Sequence, residues 1–129
     1  MPRVIVTGSR RWADELAVYD ALWDVYNEHG PFELVHGDCS TGADALAHLW
    51  WSIVGKKLGL TERRFPAAWE ARGKAAGPER NRRMVEAGAD LVLAFPLPEG
   101  SGTQMTIRLA KEAGIHVRGF APVGHIRQD

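Results

Sequence analysis

Four stretches of the chain gather glycine, hydroxyl and arginine residues in patterns suited to holding an anion. The first reads Gly8-Ser9-Arg10-Arg11-Trp12, and the second Gly37-Asp38-Cys39-Ser40-Thr41-Gly42-Ala43-Asp44. The third runs from Pro66 through Trp69 and Gly73 to Gly77-Pro78-Glu79-Arg80-Asn81, and the fourth is Pro96-Leu97-Pro98-Glu99-Gly100-Ser101-Gly102-Thr103. Each of the last three leads into a run with helical spacing. A helix start offers unpaired N–H groups and about half a positive charge, which favours phosphate. Glycine lets the backbone come close to such an anion, and Ser or Thr adds a donor. Taken singly, each loop is equally well explained as a turn: Thr41-Gly42-Ala43-Asp44 fits a capping box in which Asp44 bonds back to the Thr41 backbone. Taken together at one edge of a sheet, they predict a site for a ligand that carries phosphate.

Charge and aromatic residues gather on the same loops. From Arg63 to Arg83 seven basic residues face only Glu70 and Glu79, and Arg10 and Arg11 add to them. Arginine forks match phosphate oxygens in pairs. A solvated helix face accounts for Arg82 or Arg83, whereas Arg80 and Asn81 sit in a first helical turn beside Gly77-Pro78. Five tryptophans are many for this length. Trp23, Trp50 and Trp51 fall on helices and suit packing. Trp12 and Trp69 fall in the loops beside arginines, where a flat aromatic face stacks a nucleobase or a guanidinium as readily as it packs a loop.

Other chemistries find little support. His36 and His48 have no carboxylate or thiol at ligand spacing, so neither a metal nor another cofactor is expected. Cys39, the single cysteine, excludes an intramolecular disulfide and a cysteine zinc cage. It has no paired histidine, although a turn ahead of a helix would lower its pKa. Gly8-Ser9-Arg10 is neither a Walker loop nor the dinucleotide Gly-x-Gly-x-x-Gly, which disfavours an ordinary kinase or NAD dehydrogenase.

The elements that must position these loops alternate in type. Val4–Val6 is a short β-branched run, Asp14–His29 is helical in spacing, and Phe32–His36 is a second strand. Residues 43–58 form the longest predicted helix, and Thr61–Phe65 is a polar strand suited to a sheet edge. Pro78–Ala87 is a short helix with Pro at its first position. Leu91–Phe95 is a buried strand, Gln104–Ala113 a helix, and Ile115–Phe120 the last strand. This succession predicts an α/β, Rossmann-like, three-layer α/β/α fold with a mainly parallel five-stranded sheet in the order 3-2-1-4-5. Ligands of such sheets bind outside the carboxyl ends of the strands where the order reverses, which is where the four loops lie.

The 129 residues suit one domain, read as residues 1–121, with a loosely held tail at 122–129. Hydrophobic residues at 45% and charged residues at 25% are globular values. Sixteen basic residues balance sixteen acidic ones, so no bulk polycation is present to bind nucleic acid or membrane nonspecifically. No apolar run reaches the ~20 residues needed to span a bilayer. The N-terminus enters a strand without a signal peptide, so the expected location is the cytoplasm.

With those residues assembled, the chain resembles the SLOG superfamily, in its small YspA-like, cpYpsA-related branch common in bacteria and phages. The likeness spans roughly Arg3 to Val117. It rests on Val6-Thr7-Gly8-Ser9-Arg10, on His36-Gly37 with Thr41-Gly42-Ala43-Asp44, and on Gly77-Pro78 with Arg80-Asn81 and Met84. The run from Ala87 to Phe95 followed by Gly102-Thr103 completes it. The resemblance implies a Rossmann-like fold that binds nucleotides or nucleotide-derived ligands.

Two relatives sharpen the implication in different directions. Lonely-guy phosphoribohydrolases release the base from nucleoside monophosphates. Arg80-Asn81-Arg82-Arg83-Met84 is similar to their Arg-Lys-x-x-Met segment, and Glu99-Gly100-Ser101-Gly102-Thr103 to part of their Pro-Gly-Gly-x-Gly-Thr-x-x-Glu loop. The position of their catalytic glutamate is Thr106 here, and a threonine cannot serve as that carboxylate. Phosphate binding therefore carries over to Gly100, Ser101, Gly102, Thr103 and Arg80, while that mechanism does not; Asp38, Asp44 and Glu99 remain as stand-ins. DNA-processing protein A uses a similar fold on single-stranded DNA, a role that the basic stretch with Trp69 suits and that the zero net charge counts against.

The sequence thus predicts a binding or sensing protein for a nucleotide-derived small molecule, with N-glycosidic hydrolysis and single-strand binding as alternatives. Gly8, Ser9, Arg10, Gly37, Thr41, Gly42 and Ala43 are expected to line the crevice with Gly77 and Asn81. Gly100–Thr103 and Arg80 are expected to hold the phosphate, and Trp12 or Trp69 the base. Arg80 and Asp44 are the candidates for a catalytic role. A homodimer or higher homo-oligomer is expected, because the neighbours Trp50 and Trp51 cannot both face one core stripe; no membrane partner is.

Overall fold

A computed structural model describes residues 1–98 and 101–122. Five strands form one parallel sheet: β1 (Arg3–Gly8), β2 (Glu33–His36), β3 (Thr61–Arg64), β4 (Leu91–Phe95) and β5 (His116–Gly119). Their order is β3-β2-β1-β4-β5, as the alternation of strand and helix patterns predicts. β1 lies at the centre, with Ile5 aligned on Val35 of β2 and on Val92 of β4. Successive strand residues point to opposite faces, and the core divides accordingly. Val4, Val6, Leu34, Leu91, Leu93 and Phe95 pack against α1 (Glu15–His29) and α2 (Gly42–Ile53). Ile5, Val35, Val92 and Ala94 turn the other way, onto Met84 of α4 (Ala76–Glu86) and Ala110 of α5 (Ser101–Glu112). β3 is a polar edge strand, and its four residues are half-buried or exposed.

The larger differences from the sequence reading lie in the helices. The helix expected over 43–58 ends at Ile53, and Gly55–Leu58 forms a 3-10 turn. A side chain at Gly55 would meet the Trp50 ring at 2.9 Å, so this turn needs glycine to pack closely on the core that Leu60 rejoins. The segment read as loop from Pro66 carries a short helix, α3 (Trp69–Arg72), followed by the 3-10 turn Gly73–Ala75. α4 therefore begins at Ala76, and Pro78 is its third residue rather than its first. That position still suits proline, because N–H groups of a first turn have no intrahelical acceptor. α5 begins at Ser101, three residues ahead of the expected start. The proposed loose tail lies, from residue 123 on, outside the described residues.

The start of α2 is fixed by one backbone constraint. Gly42 adopts φ +78°, and a Cβ there would collide with the Ser9 carbonyl and the Arg10 backbone. Gly42→Ala combines left-handed strain with backbone overlap. It is expected to cost about 3 kcal/mol or more of stability, read from urea unfolding. A loss below ~1 kcal/mol would show that the β1–α1 loop can move away.

Candidate functional site

The carboxyl ends of β1, β2 and β4 open onto a cavity of about 450 Å³. Thr7, Gly8, Ser9 and Arg10 form one wall, Gly37, Cys39 and Asp44 the second, and Trp69, Lys74, Gly77, Pro78, Arg80, Asn81 and Met84 the third. Gly102 and Thr103, in the first turn of α5, close it. A smaller cavity of about 330 Å³ adjoins it through Arg10, Gly37, Cys39, Trp69 and Arg80, and reaches Ser40 and Thr41.

Arg80 anchors the centre. It is 7% exposed, an uncommon state for a guanidinium. Its Nε donates to Asn81 Oδ1 at 2.7 Å, and its Nη1 donates to the Gly37 carbonyl. Nη2 has no hydrogen bond among the described residues. A Cβ at 37 would overlap the guanidinium and push Arg80 out of this position. Asn81 Nδ2 reaches the Gly102 carbonyl at 3.4 Å, which ties α4 to the start of α5.

Asp44 grips the same glycine from the other side. It is 6% exposed, and its Oδ2 accepts the Gly37 N–H at 3.0 Å. The expected capping box is absent: Thr41 makes no side-chain cap bond, and Asp44 turns to Gly37 instead of Thr41. Burial pushes the Asp44 carboxyl well above the usual range, against the opposing pull of His36, Cys39 and Arg80. Cys39 also departs from expectation. Burial and the neighbouring Asp44 raise its thiol pKa, which outweighs Arg80 and Arg10, so it is a thiol at neutral pH.

Two helix N-termini face the cavity rather than three. Gly77 and Pro78 of α4 and Gly102 and Thr103 of α5 line it. The Ala43 N–H of α2 donates to the Ser9 carbonyl at 3.4 Å, so Gly42 and Ala43 serve packing and leave the wall to Gly37 and Asp44. Ser9 holds its own loop, its Oγ accepting the Arg11 N–H at 3.1 Å. Gly100 lies outside the described residues.

Of the two loop tryptophans, one reaches the cavity. Trp12 is 2% exposed, stands edge-on to Phe95 with ring centroids 5.3 Å apart, and donates its indole N–H to the Asp14 carbonyl at 2.9 Å. It is core and stacks no ligand. Trp69 is 46% exposed, packs against Gly77, and carries the Arg10 guanidinium over its ring at 5.0 Å. Lys74 also lines the cavity. Its place in the 3-10 turn after Gly73, unseen in the sequence, brings it there. Thr106 has no exposure and bonds back to the Gly102 carbonyl, so the position lies off the cavity wall.

The histidines read as unpartnered share a carboxylate from the edge strand. Glu62 Oε2 lies 2.8 Å from His36 Nε2 and also bonds His48 Nδ1. Only β3 pairing with β2 reveals this, since 26 residues separate Glu62 from His36. The trio is close enough to suggest a metal site. His36 Nδ1, however, accepts the Asp38 N–H at 3.0 Å, which leaves the ring proton on Nε2. A metal on Nε2 needs that proton to move to Nδ1, so these contacts describe a hydrogen-bond cluster. Burial works to raise the Glu62 pKa, and the bonds from His36 and His48 outweigh it, leaving the group below its usual value.

The basic stretch is largely spent within the fold. Arg72 pairs with Glu79 at 2.6 Å, Arg64 with Glu62 at 3.0 Å, and Arg63 lies over the Phe65 ring. The cations on the cavity wall are Arg10, Lys74 and Arg80, and Asp44 is its one carboxyl among the described residues.

A pH dependence follows from Asp44. Its folded pKa exceeds its unfolded one, so the stability this group contributes is present below about pH 4 and is lost as the pH rises through the folded value. Asp44→Asn keeps an acceptor for Gly37 and removes that loss. The variant is expected to melt above the wild type near neutral pH, with the gap closing towards about pH 4. A pH-independent gap in differential scanning fluorimetry would refute ionisation as the cause.

The Gene 61 protein of Mycobacterium phage D29 is 45% identical over 123 residues, covering 93% of this chain and 97% of that protein. No solved structure matches the chain. The family model for YAcAr, the YspA, cpYpsA-related SLOG family, matches residues 2–71, from β1 through α3. The chain is a member of the YspA, cpYpsA-related SLOG family.

Proposed function

We propose that the chain binds a nucleotide or a nucleotide-derived anion in the cavity at the carboxyl edge of the sheet, as a binding or sensing protein. The observation that carries this reading is the buried Arg80, fixed by Gly37 and Asn81 with Nη2 left over, on a wall shared with two helix N-termini. Burying a guanidinium is costly unless a partner compensates it. An anion accepting from Nη2 and from the amides of Gly102 and Thr103 supplies that partner. Arg10 and Lys74 add charge for a group carrying more than one negative charge. Trp69, exposed and flat, suits a base. A volume of about 450 Å³ accommodates a ligand of that size.

Isothermal titration against nucleoside mono-, di- and triphosphates and cyclic forms tests the reading. One class is expected to bind, with Trp69→Ala weakening it about tenfold and Lys74→Ala by a similar factor. Arg80→Ala is expected to weaken it a hundredfold or more, with Arg80→Lys checking that the fold persists. A folded wild type that ignores the whole panel overturns the reading. Single-strand binding is the outcome instead if affinity rises with oligonucleotide length and falls steeply with salt.

Asp44 favours a second reading, N-glycosidic hydrolysis. A carboxyl on the cavity wall whose pKa is raised by burial suits a general acid. As the bond from C1′ to the base breaks and water oxygen bonds to C1′, Asp44 gives its proton to the base and recovers one from the water. Chromatography of wild-type reactions is then expected to show free base, and Asp44→Asn to bind without releasing it. Binding without base release by the wild type rejects this second reading alone.

A further inference from the structure

Four of the six large apolar side chains exposed among the described residues lie on one side of the molecule: Leu16 (67%) and Trp23 (37%) on α1, and Leu49 (44%) and Ile53 (58%) on α2. Helical spacing explains why they form a stripe. On α1, residues 16, 19 and 23 follow one another at three and four, beside the buried set of Val18, Leu22 and Val25. On α2, residues 46, 49 and 53 do the same beside Ala47 and Trp50. The two helices meet beside these stripes, where the Trp23 ring stands edge-on to the buried Trp50 with centroids 5.5 Å apart. Tyr19 and Leu46, the remaining members of the two stripes, are half-buried and pack against the core. A run of exposed apolar side chains along two adjacent helices is not explained by packing within one chain.

Charge flanks this seam unequally. The outer side of α1 carries exposed Asp20 and Asp24, with Glu28 tied to Arg118 at 2.7 Å. Past the end of α2 stand exposed Lys56 and Lys57, Lys56 lying 5.7 Å over the Trp51 ring. α1 and α2 pack on the same face of a parallel sheet and run in the same direction. A two-fold axis along the seam therefore lays α1 of each copy on α2 of the other. That operation brings the carboxylate flank over the lysine flank twice, as a self-complementary interface requires.

We propose that the seam between α1 and α2 is the face through which two copies of this chain associate. The inference is independent of the ligand reading, since none of the seam residues lines the cavity. Sedimentation velocity on the full chain is expected to show a species of about twice the 14.2 kDa monomer mass. Leu49→Glu with Ile53→Glu, both at exposed positions, is expected to weaken association by roughly a hundredfold while far-UV circular dichroism stays unchanged. Asp20→Lys with Asp24→Lys is expected to weaken it too, and adding Lys56→Glu with Lys57→Glu to restore it.

A wild type that stays monomeric at every concentration overturns the proposal and leaves the seam to a partner of another sequence. A dimer that survives the Leu49/Ile53 variant places the interface elsewhere and also overturns it. Failure of the fourfold charge exchange to restore association rejects the two-fold arrangement.

Discussion

The peptide groups on either side of Gly37 hold this site together. The N–H is taken by a carboxyl from α2 and the C=O by a guanidinium from α4, and both side chains are largely buried. These helices pack on opposite faces of the sheet, so one residue at the end of β2 joins the two halves of the molecule. The contact is available only because position 37 lacks a side chain. From it the rest follows: Arg80 is aimed by being tied down, Asn81 is held by Arg80, and Asn81 in turn reaches the start of α5. Low dielectric strengthens each of these bonds and makes each costly to leave unmade, which favours one arrangement of the cavity wall over looser ones.

Much of the sheet was legible because its signals are local. Val4–Val6 and Leu91–Phe95 are apolar runs flanked by turn residues, and two of the three layers follow from the alternation around them. The polar composition of Thr61–Arg64 marked an edge. Boundaries were harder where tertiary packing overrode the pattern. α2 stops at Ile53, and the turn that follows packs Gly55 against Trp50, Trp51 and Leu60, a contact that spacing along one helix does not contain.

The site divides in the same way. Gly8, Ser9, Gly37, Gly77, Asn81, Gly102 and Thr103 were placed by type and by the sheet edge they belong to, and they line the cavity. Trp12 and Trp69 read alike, each an aromatic beside arginine in a loop. What separates them is that Phe95 receives one ring and solvent the other. Asp44 fitted a capping box that geometry assigns to Gly37. His36 and His48 lacked a partner only because β3 delivers Glu62 across a strand pairing. For Trp12 and His36 the deciding neighbour is distant in sequence, and for Asp44 it lies seven residues back across a turn; neither kind of contact leaves a periodic trace.

The stacking of Arg10 on Trp69 has a consequence for selectivity. The exposed ring has its face occupied already, and the cation that occupies it is one of three on the cavity wall. In the proposed reading, an aromatic group displaces Arg10, and the displaced guanidinium then needs a negative charge nearby. A bare phosphate leaves Arg10 where it is, and an uncharged base strands it. On that reading only a molecule that carries both parts satisfies the two demands at once, and the pair would then act as a coincidence detector, telling a nucleotide from its fragments before any atom of the base is read.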